Sequence, residues 1–172
     1  PHYPFEFLQA DAMTFYGLPL WHGEPFDAIH ASPPCQLFSR AGKLREAQGG
    51  KSSSIDLLTP IRPYLIRAGL PYVIENVEGA PLRGLVLCGS TFGLGVRRHR
   101  IFESNVWLPA AGPCRHKEQG RPWGVYHVPG DQVPSGGRTA RDVPHAQELM
   151  GIDWMPEWDE LKEAIPPAYT EH

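Results

Sequence analysis

The sequence contains few cysteines and no long apolar run, and each absence excludes a class of protein. Three cysteines among 172 residues are an odd number, so they cannot form the fully paired framework of a small disulfide-stabilised protein. We therefore expect a reducing, cytoplasmic environment. No apolar stretch approaches the ~20 residues that a membrane-spanning helix needs, and no secretory signal opens the chain. We predict that the protein has no membrane partner.

The chain also lacks an overall excess of basic residues, since its net charge is −3. The distribution is uneven: seven basic and three acidic side chains lie from Arg97 to Arg138, a local net charge of +4 that leaves −7 for the remainder. A basic stripe is typical of a surface that binds phosphates, although an ordinary solvated face has the same composition. The candidate phosphate-binding residues in this stripe are Arg97, Arg115, Lys117, Arg121 and Arg138.

Length and composition favour one globular domain with many loops. The chain is 41% hydrophobic and 20% charged, with 19 prolines and 18 glycines, which is enough apolar material for a real core. Periodicity predicts strands over residues 6–8, 28–31, 72–75, 85–88 and 100–103. It predicts helices over residues 143–150 and 158–164, and a helix over residues 55–68 that is capped by Ser53 or Ser54. Because Pro60 and Pro63 interrupt this last helix, we expect it to be bent or to begin late.

One thiol follows a predicted strand in an unusual way. The apolar run over residues 28–31 stops at Pro33 and Pro34, which cannot donate to a sheet and which restrict the backbone. Cys35 stands at the end of this stiff segment. Loops beyond the carboxyl ends of strands line the ligand crevice in open α/β sheets, so we interpret Cys35 as a nucleophile rather than a packing residue.

A carboxylate ends a second predicted strand. Glu75 follows the apolar run over residues 72–74, and a carboxylate near a thiol pairs a possible proton donor with a nucleophile. Alone, Glu75 is equally well read as a surface acid at a strand end. A third feature, the basic cluster from Arg97 to Arg100, runs into the strand predicted over residues 100–103.

In this order, Pro33-Pro34-Cys35-Gln36, Glu75-Asn76-Val77 and Arg98-His99-Arg100 resemble the motifs of the DNA cytosine-5 methyltransferases of bacteria and phages. The resemblance covers most of the chain. It implies an α/β fold with a mainly parallel, Rossmann-like sheet of the kind found in S-adenosylmethionine-dependent methyltransferases, together with a small irregular recognition region. The implied activity is transfer of a methyl group from S-adenosylmethionine to C5 of cytosine in double-stranded DNA.

The resemblance also implies a role for each catalytic candidate. Cys35 would add to C6 of a cytosine flipped out of the duplex, and Glu75 would supply a proton at N3. Arg98 and Arg100 would reach the O2 atom of the flipped base and a nearby phosphate. The glutamine usual before these arginines in the family is replaced here by Val96, so the choice among the neighbouring arginines stays open.

By the same resemblance, Asp11, Pro33 and Pro34 would contact S-adenosylmethionine. The glycine-rich turn that holds this cofactor in the family is not in the sequence, so we expect that a preceding segment or a second polypeptide completes the site. We divide the chain into a partial catalytic domain over residues 1–104, a target-recognition region over 105–137 and a return to the catalytic domain over 138–172. The polar stretch over residues 37–54 would close over DNA through Arg40 and Lys43.

Three alternatives remain open at this level. The chain could be a DNA-binding relative without activity, or an enzyme that transfers a modified one-carbon group to the same atom. Cys114 and His116, with either His127 or Cys88, have some of the residue types of a zinc site. Because no paired Cys-x-x-Cys accompanies them, we predict that no metal is bound.

Overall fold

The structure is a computed structural model that describes residues 5–11, 20–21, 24–39, 49, 55–126 and 138–172. Arg40, Lys43, the proposed cap at Ser53 or Ser54, and His127 lie outside these residues. The strands are β1 (Leu20–Trp21), β2 (Glu24–Pro25), β3 (Ile29–Ala31), β4 (Tyr72–Asn76), β5 (Leu85–Leu87), β6 (Arg100–Ser104), β7 (Trp123–Gly124) and β8 (Arg138–Thr139). The α-helices are α1 (Leu58–Ala68), α2 (His116–Gln119), α3 (Val143–Met150), α4 (Trp158–Glu163) and α5 (Pro167–Thr170), and a 3₁₀-helix spans Gly89–Phe92.

The largest sheet has four strands in the order β3-β4-β6-β5. Strands β3 and β4 are parallel, with Ala31 beside Ile74, whereas β6 runs antiparallel to β4. The predicted α/β class is confirmed, but the sheet is mixed rather than mainly parallel. The two remaining pairs are small: β1 with β2 is antiparallel, and β7 with β8 is parallel.

Most predicted elements appear within a few residues of their expected bounds. Strands β3, β4, β5 and β6 and helices α3 and α4 lie where the sequence pattern placed them. The strand predicted over residues 6–8 is wrong, because these residues are exposed and have no regular structure. The recognition region, predicted to be irregular, contains the short helix α2 and strand β7.

Helix α1 begins at Leu58, which agrees with the late start that its prolines predicted, and Asp56 binds its first amides. Asp56 Oδ1 accepts the N–H groups of Leu58 at 3.0 Å and Thr59 at 3.1 Å, which satisfies two of the amides that a helix start leaves without partners. Pro60 falls in this first turn, where its missing N–H costs little. Ile55, expected on the buried stripe, is 71% exposed outside the helix.

The chain forms two compact units, each with its own apolar core. The first unit comprises the described residues of Pro1–Leu8, Leu87–His99 and Pro109–His172, and the second those of Gln9–Val86 and Arg100–Leu108. The core of the second unit is formed by Ala31, Leu58, Leu65, Tyr72, Ile74, Ala80, Leu82 and Ile101. The core of the first is formed by Val96, Val125, Ala140, Ala146, Leu149, Met150, Ile152 and Leu161. The predicted division at residues 104 and 137 stays a prediction.

No helix in the described ranges has both the length and the apolar character needed to cross a membrane.

In the second unit, Glu103 on β6 connects the sheet to helix α1. Its carboxylate accepts hydrogen bonds from Arg62 Nε at 2.9 Å, Arg62 Nη2 at 3.2 Å and the Arg83 amide at 2.9 Å. Burial opposes ionisation of this carboxyl, but the bonds from Arg62 and Arg83 outweigh it and hold the pKa of Glu103 below its ordinary value of 4.5. The charged form therefore stabilises the fold.

Replacing Glu103 with glutamine should lower the free energy of unfolding near neutral pH by about 0.5–1 kcal/mol, as expected for a partly exposed pair. Because the pKa is lowered in the folded protein, this contribution is complete above 4.5 and is lost as the pH falls through the folded value. Urea unfolding at about pH 7 and about pH 3 measures the difference. Glu78→Gln, at an exposed site of the same unit, is the control. An equal loss for Glu103→Gln at both pH values would contradict the charge-based account.

Candidate active site

The Cys35 thiol is held between a stiff segment and a turn. Strand β3 ends at Ala31, and the chain continues through Pro33, which is buried, to Cys35, which is partly exposed. The Cys35 carbonyl oxygen then accepts the amides of Phe38 at 3.0 Å and Ser39 at 2.9 Å. Because the Phe38 side chain packs against the core of the second unit, the turn is anchored. Cys35 therefore has a fixed backbone and a side chain that a ligand can reach.

A buried amide ties this segment to the neighbouring strand. Asn76, at the end of β4, is fully buried. Its Nδ2 atom donates to the Pro33 carbonyl oxygen at 2.9 Å, and its Oδ1 atom accepts the Val77 amide at 3.0 Å. Since β3 and β4 are parallel, their carboxyl ends meet at the same edge of the sheet. Asn76, the residue after Glu75, therefore holds the segment that leads to Cys35 against the end of β4.

Asn76 had no predicted role, although it belongs to the Glu75-Asn76-Val77 motif. The available signal was an amide that ends an otherwise apolar strand. A buried amide is retained only where its polar atoms find partners, and the partner here is 43 positions away in the sequence. That distance explains why inspection of local patterns missed it.

Glu75 forms a buried ion pair on the same sheet. Arg100 Nε lies 2.9 Å from Glu75 Oε1, and both side chains are less than one-tenth exposed. The antiparallel register places Phe102 of β6 beside Glu75, so Arg100 approaches from the adjacent strand. The Arg100 guanidinium therefore lies against the Glu75 carboxyl group. Arg100, predicted to reach the O2 atom of a base, is thus found in contact with Glu75.

Arg98 is held inside the first unit. Its Nη2 atom donates to the Lys162 carbonyl oxygen at 2.7 Å, and its guanidinium carbon lies 4.9 Å from the centre of the Tyr126 ring. Arg98 has a φ of 37°, a left-handed conformation that costs a non-glycine residue ~1–3 kcal/mol. The Tyr169 hydroxyl donates to the Arg98 carbonyl oxygen at 3.0 Å and helps to hold this backbone. These contacts hold Arg98 within its unit, and its predicted contact with a base or phosphate stays a prediction.

One of the predicted cofactor contacts, Asp11, lies in a different local structure from the one expected. Asp11 is exposed in a segment without regular structure, whereas the family resemblance implied that it follows a strand. Pro33 is buried and Pro34 exposed beside Cys35. The assignment of these three residues to S-adenosylmethionine stays a prediction.

The basic candidates within the described residues all belong to the first unit. Arg97 is bonded internally, with Nε 3.3 Å from Gln119 Oε1 and Nη2 3.0 Å from the Gly120 carbonyl oxygen. The Arg138 guanidinium lies 4.5 Å from the centre of the Trp123 ring, which holds it at the surface. The exposed candidates are Arg115, Lys117, Arg121 and Arg138.

The structure also brings together four side chains that sequence analysis did not combine. The ligand atoms of Cys88, His99, Cys114 and His116 all lie within 4.8 Å of one another. The sequence had suggested Cys88 only as one of two possible companions for Cys114 and His116. His99 was overlooked because it stood inside the basic cluster and was interpreted with it.

Comparison with protein-family models, with curated proteins and with solved structures found no match.

Replacing Asn76 with alanine should release the segment that carries Cys35. The Pro33 carbonyl would lose its partner, and the loss of these bonds should lower stability by about 1–3 kcal/mol. We expect the rate of Cys35 alkylation by iodoacetamide under native conditions to rise several-fold. Mass spectrometry of the Cys35 peptide distinguishes this thiol from the other two.

Asn105→Ala is the matched control for this experiment. Asn105 accepts the Tyr72 amide at 2.7 Å and donates to the Leu70 carbonyl oxygen at 2.9 Å, so it serves the opposite end of β4. Its loss should destabilise the unit comparably and leave the Cys35 rate unchanged. Equal alkylation rates in the Asn76 and Asn105 variants would show that Asn76 does not position the thiol.

Proposed function

We propose that this chain carries the catalytic residues of a DNA cytosine-5 methyltransferase, with a sheet that forms part of a Rossmann-like methyltransferase fold. One observation supports this most strongly. Cys35, at the carboxyl end of β3, is fixed by Asn76 to the end of the parallel strand β4, which carries the buried Glu75. A positioned thiol and a buried carboxylate at one sheet edge have the chemistry that methylation of C5 requires.

The reaction needs a nucleophile because C5 of cytosine is too electron-poor to attack a sulfonium methyl group unaided. Addition of the Cys35 thiolate to C6 would turn the ring into an enamine with a nucleophilic C5. S-adenosylmethionine would supply the methyl group, with S-adenosylhomocysteine as the leaving group. A base removes the C5 proton, the C5–C6 double bond reforms and the thiolate leaves. The thiol is therefore regenerated in each cycle, as covalent catalysis requires.

Glu75 would act at N3 of the same ring. Addition at C6 places negative charge on the N3–O2 side, which a proton at N3 neutralises. Glu75 must carry a proton for this role, and a base that fills the site would displace water and favour the protonated carboxyl. Arg100, 2.9 Å away, would hold the carboxyl group in place for this step.

Double-stranded DNA is the proposed partner, held by exposed basic residues of the first unit. Phosphate contacts supply most of the sequence-independent affinity for DNA and depend strongly on salt. A reactive thiolate also requires reducing conditions, which supports a cytoplasmic location in a bacterial or phage-infected cell. S-adenosylmethionine would supply the methyl group, and Asp11, Pro33 and Pro34 remain its proposed contacts.

Replacing Cys35 with alanine should abolish methyl transfer from labelled S-adenosylmethionine to duplex DNA while leaving DNA binding within a few-fold of the original. Cys35→Ser should be almost as inactive, because a serine hydroxyl ionises far less readily. If the protein binds both S-adenosylmethionine and DNA, with its cofactor site completed, but transfers no methyl group, the chain is an inactive relative. Mass spectrometry of the DNA separates methylation from transfer of a modified one-carbon group. Normal turnover by Cys35→Ala would exclude the mechanism.

Glu75→Gln should slow a single turnover by ~10²–10⁴-fold, the usual loss when a positioned acid is removed. Affinity for the flipped base should change less, because an amide still forms hydrogen bonds. Glu103→Gln, at a partly buried acid on β6 of the same sheet, is the matched control and should keep the original rate. An unchanged single-turnover rate in Glu75→Gln would leave this residue a structural role only.

Arg121→Ala should weaken binding to all DNA sequences alike, because the side chain is exposed in the basic stripe and is proposed to contact phosphate. Loss of one phosphate contact should reduce the slope of log affinity against log salt by about 0.9. Arg67→Ala, at an exposed site on helix α1 of the second unit, should leave the slope unaltered. Fluorescence anisotropy over a salt series measures both. Identical slopes for Arg121→Ala and the original protein would remove Arg121 from the interface.

A further inference from the structure

Four metal-ligating side chains converge in the first unit, outside the proposed catalytic residues. Cys88 Sγ lies 3.3 Å from His116 Nε2, and Cys114 Sγ lies 3.4 Å from His99 Nε2. The two imidazole rings meet edge to face, with their centres 5.2 Å apart. All four ligand atoms lie within 4.8 Å of one another, so the two thiol–imidazole pairs form a single cluster.

Both sulfur–nitrogen separations within the pairs are close to those of a tetrahedral zinc centre. Zinc bonds of about 2.3 Å to sulfur and about 2.0–2.1 Å to nitrogen, set at tetrahedral angles, place sulfur about 3.5 Å from nitrogen. The two observed distances, 3.3 and 3.4 Å, are close to this value. Two separate thiol–imidazole hydrogen bonds would explain each pair alone, but they give no reason for both pairs to share one point.

We propose that Cys88, His99, Cys114 and His116 form a structural zinc site. Two thiolates balance the charge of Zn²⁺, and thiolate with imidazole suits zinc rather than magnesium or calcium, which prefer oxygen ligands. Four protein ligands complete a tetrahedron and leave no position for water or substrate. That closed arrangement is typical of structural zinc and not of catalytic zinc.

The backbone of the first unit brings Cys88 and His99 together. The Gly89 amide donates to the Arg97 carbonyl oxygen at 2.7 Å, so the residue after Cys88 lies beside the segment that leads to His99. The approach is close enough that a Cβ atom at position 89 would overlap the Val96 carbonyl oxygen. Glycine is therefore required next to Cys88 for this geometry.

Hydrogen bonds around the cluster hold the segment that carries Cys114 and His116. Ser90 Oγ lies 3.1 Å from Cys88 Sγ and accepts the amide of Arg115 at 3.0 Å, the residue between Cys114 and His116. Thr91 Oγ1 donates to the Pro113 carbonyl oxygen at 3.3 Å. Such outer contacts orient the ligands of metal sites, and here they join the two segments that supply them.

The site also accounts for order where hydrophobic packing is absent. Helix α2 (His116–Gln119) has four residues and buries none of them, and at its C-terminal end Gln119 donates to the carbonyl oxygens of Leu94 and Val96. A metal bound through Cys114 and His116 would fix this helix, with Arg115 and Lys117, to the segment that contains Arg97. Zinc binding would then contribute directly to the folding free energy of the region.

This proposal is independent of methyl transfer and of DNA binding. Elemental analysis by inductively coupled plasma mass spectrometry should find one zinc per chain in the purified protein. Replacement by Co²⁺ should give the strong visible absorption of tetrahedral cobalt and a thiolate-to-cobalt charge-transfer band. A protein that purifies without zinc and gives only the weak spectrum of octahedral cobalt would overturn the proposal.

Variants identify the ligands. Cys114→Ala should lose the bound zinc and the tetrahedral cobalt spectrum. His172→Asn, an exposed histidine of the same unit, and Cys35→Ala should each retain one zinc, whether or not methyl transfer is found. Full zinc occupancy in Cys114→Ala would exclude Cys114 as a ligand and overturn the site.

A ligand exchange guards against variants that do not fold. His116→Cys keeps a metal-binding side chain and should still hold one metal, now through three thiolates, so its charge-transfer band should grow by about half relative to the original. A band of unchanged intensity would show that position 116 does not bind the metal. Growth of the band, together with retained zinc, supports the assignment even if the alanine variant is insoluble.

Discussion

The arrangement of the candidate active site depends on one hydrogen bond, from the Asn76 side chain to the Pro33 carbonyl oxygen at 2.9 Å. Pro33 and Pro34 have no amide hydrogen to donate, so the sheet's backbone hydrogen bonds do not extend along the segment after β3. The fully buried amide of Asn76 takes their place. It attaches the segment that ends at Cys35 to β4, a central strand of the sheet.

The Glu75–Arg100 ion pair lies in the same sheet. Burying one of these charges without the other would lower the stability of the fold, so the two residues depend on each other. Removing either partner from a buried ion pair typically costs 3–5 kcal/mol, because the other charge is left without compensation. The pair therefore fixes the carboxylate and commits Arg100 to it. Arg98 is likewise held by Lys162 and Tyr126 within the first unit.

Local signals predicted the elements well and the long-range contacts poorly. Helix α3 lies where expected because Asp142 caps it and Gly151 ends it, both within the pattern itself. The first residue of helix α1 was predicted only approximately, because Asp56 was not recognised as the residue that binds its first amides. Cys35 and Glu75 were identified from strand ends, but the Asn76 bond and the partner of Arg100 join distant positions. The cluster of Cys88 and His99 likewise forms only when the backbone near Gly89 and Arg97 meets, which no spacing rule encodes.

The most direct test of the central claim is to trap the proposed covalent bond on duplex DNA that contains 5-azacytosine. Nitrogen at ring position 5 makes C6 more electrophilic, so thiolate addition does not depend on methyl transfer. We predict an adduct that survives a denaturing gel, that maps by mass spectrometry to the peptide containing Cys35, and that is absent from Cys35→Ala. An adduct confined to Cys88 or Cys114, or none on DNA that the protein demonstrably binds, would contradict the account.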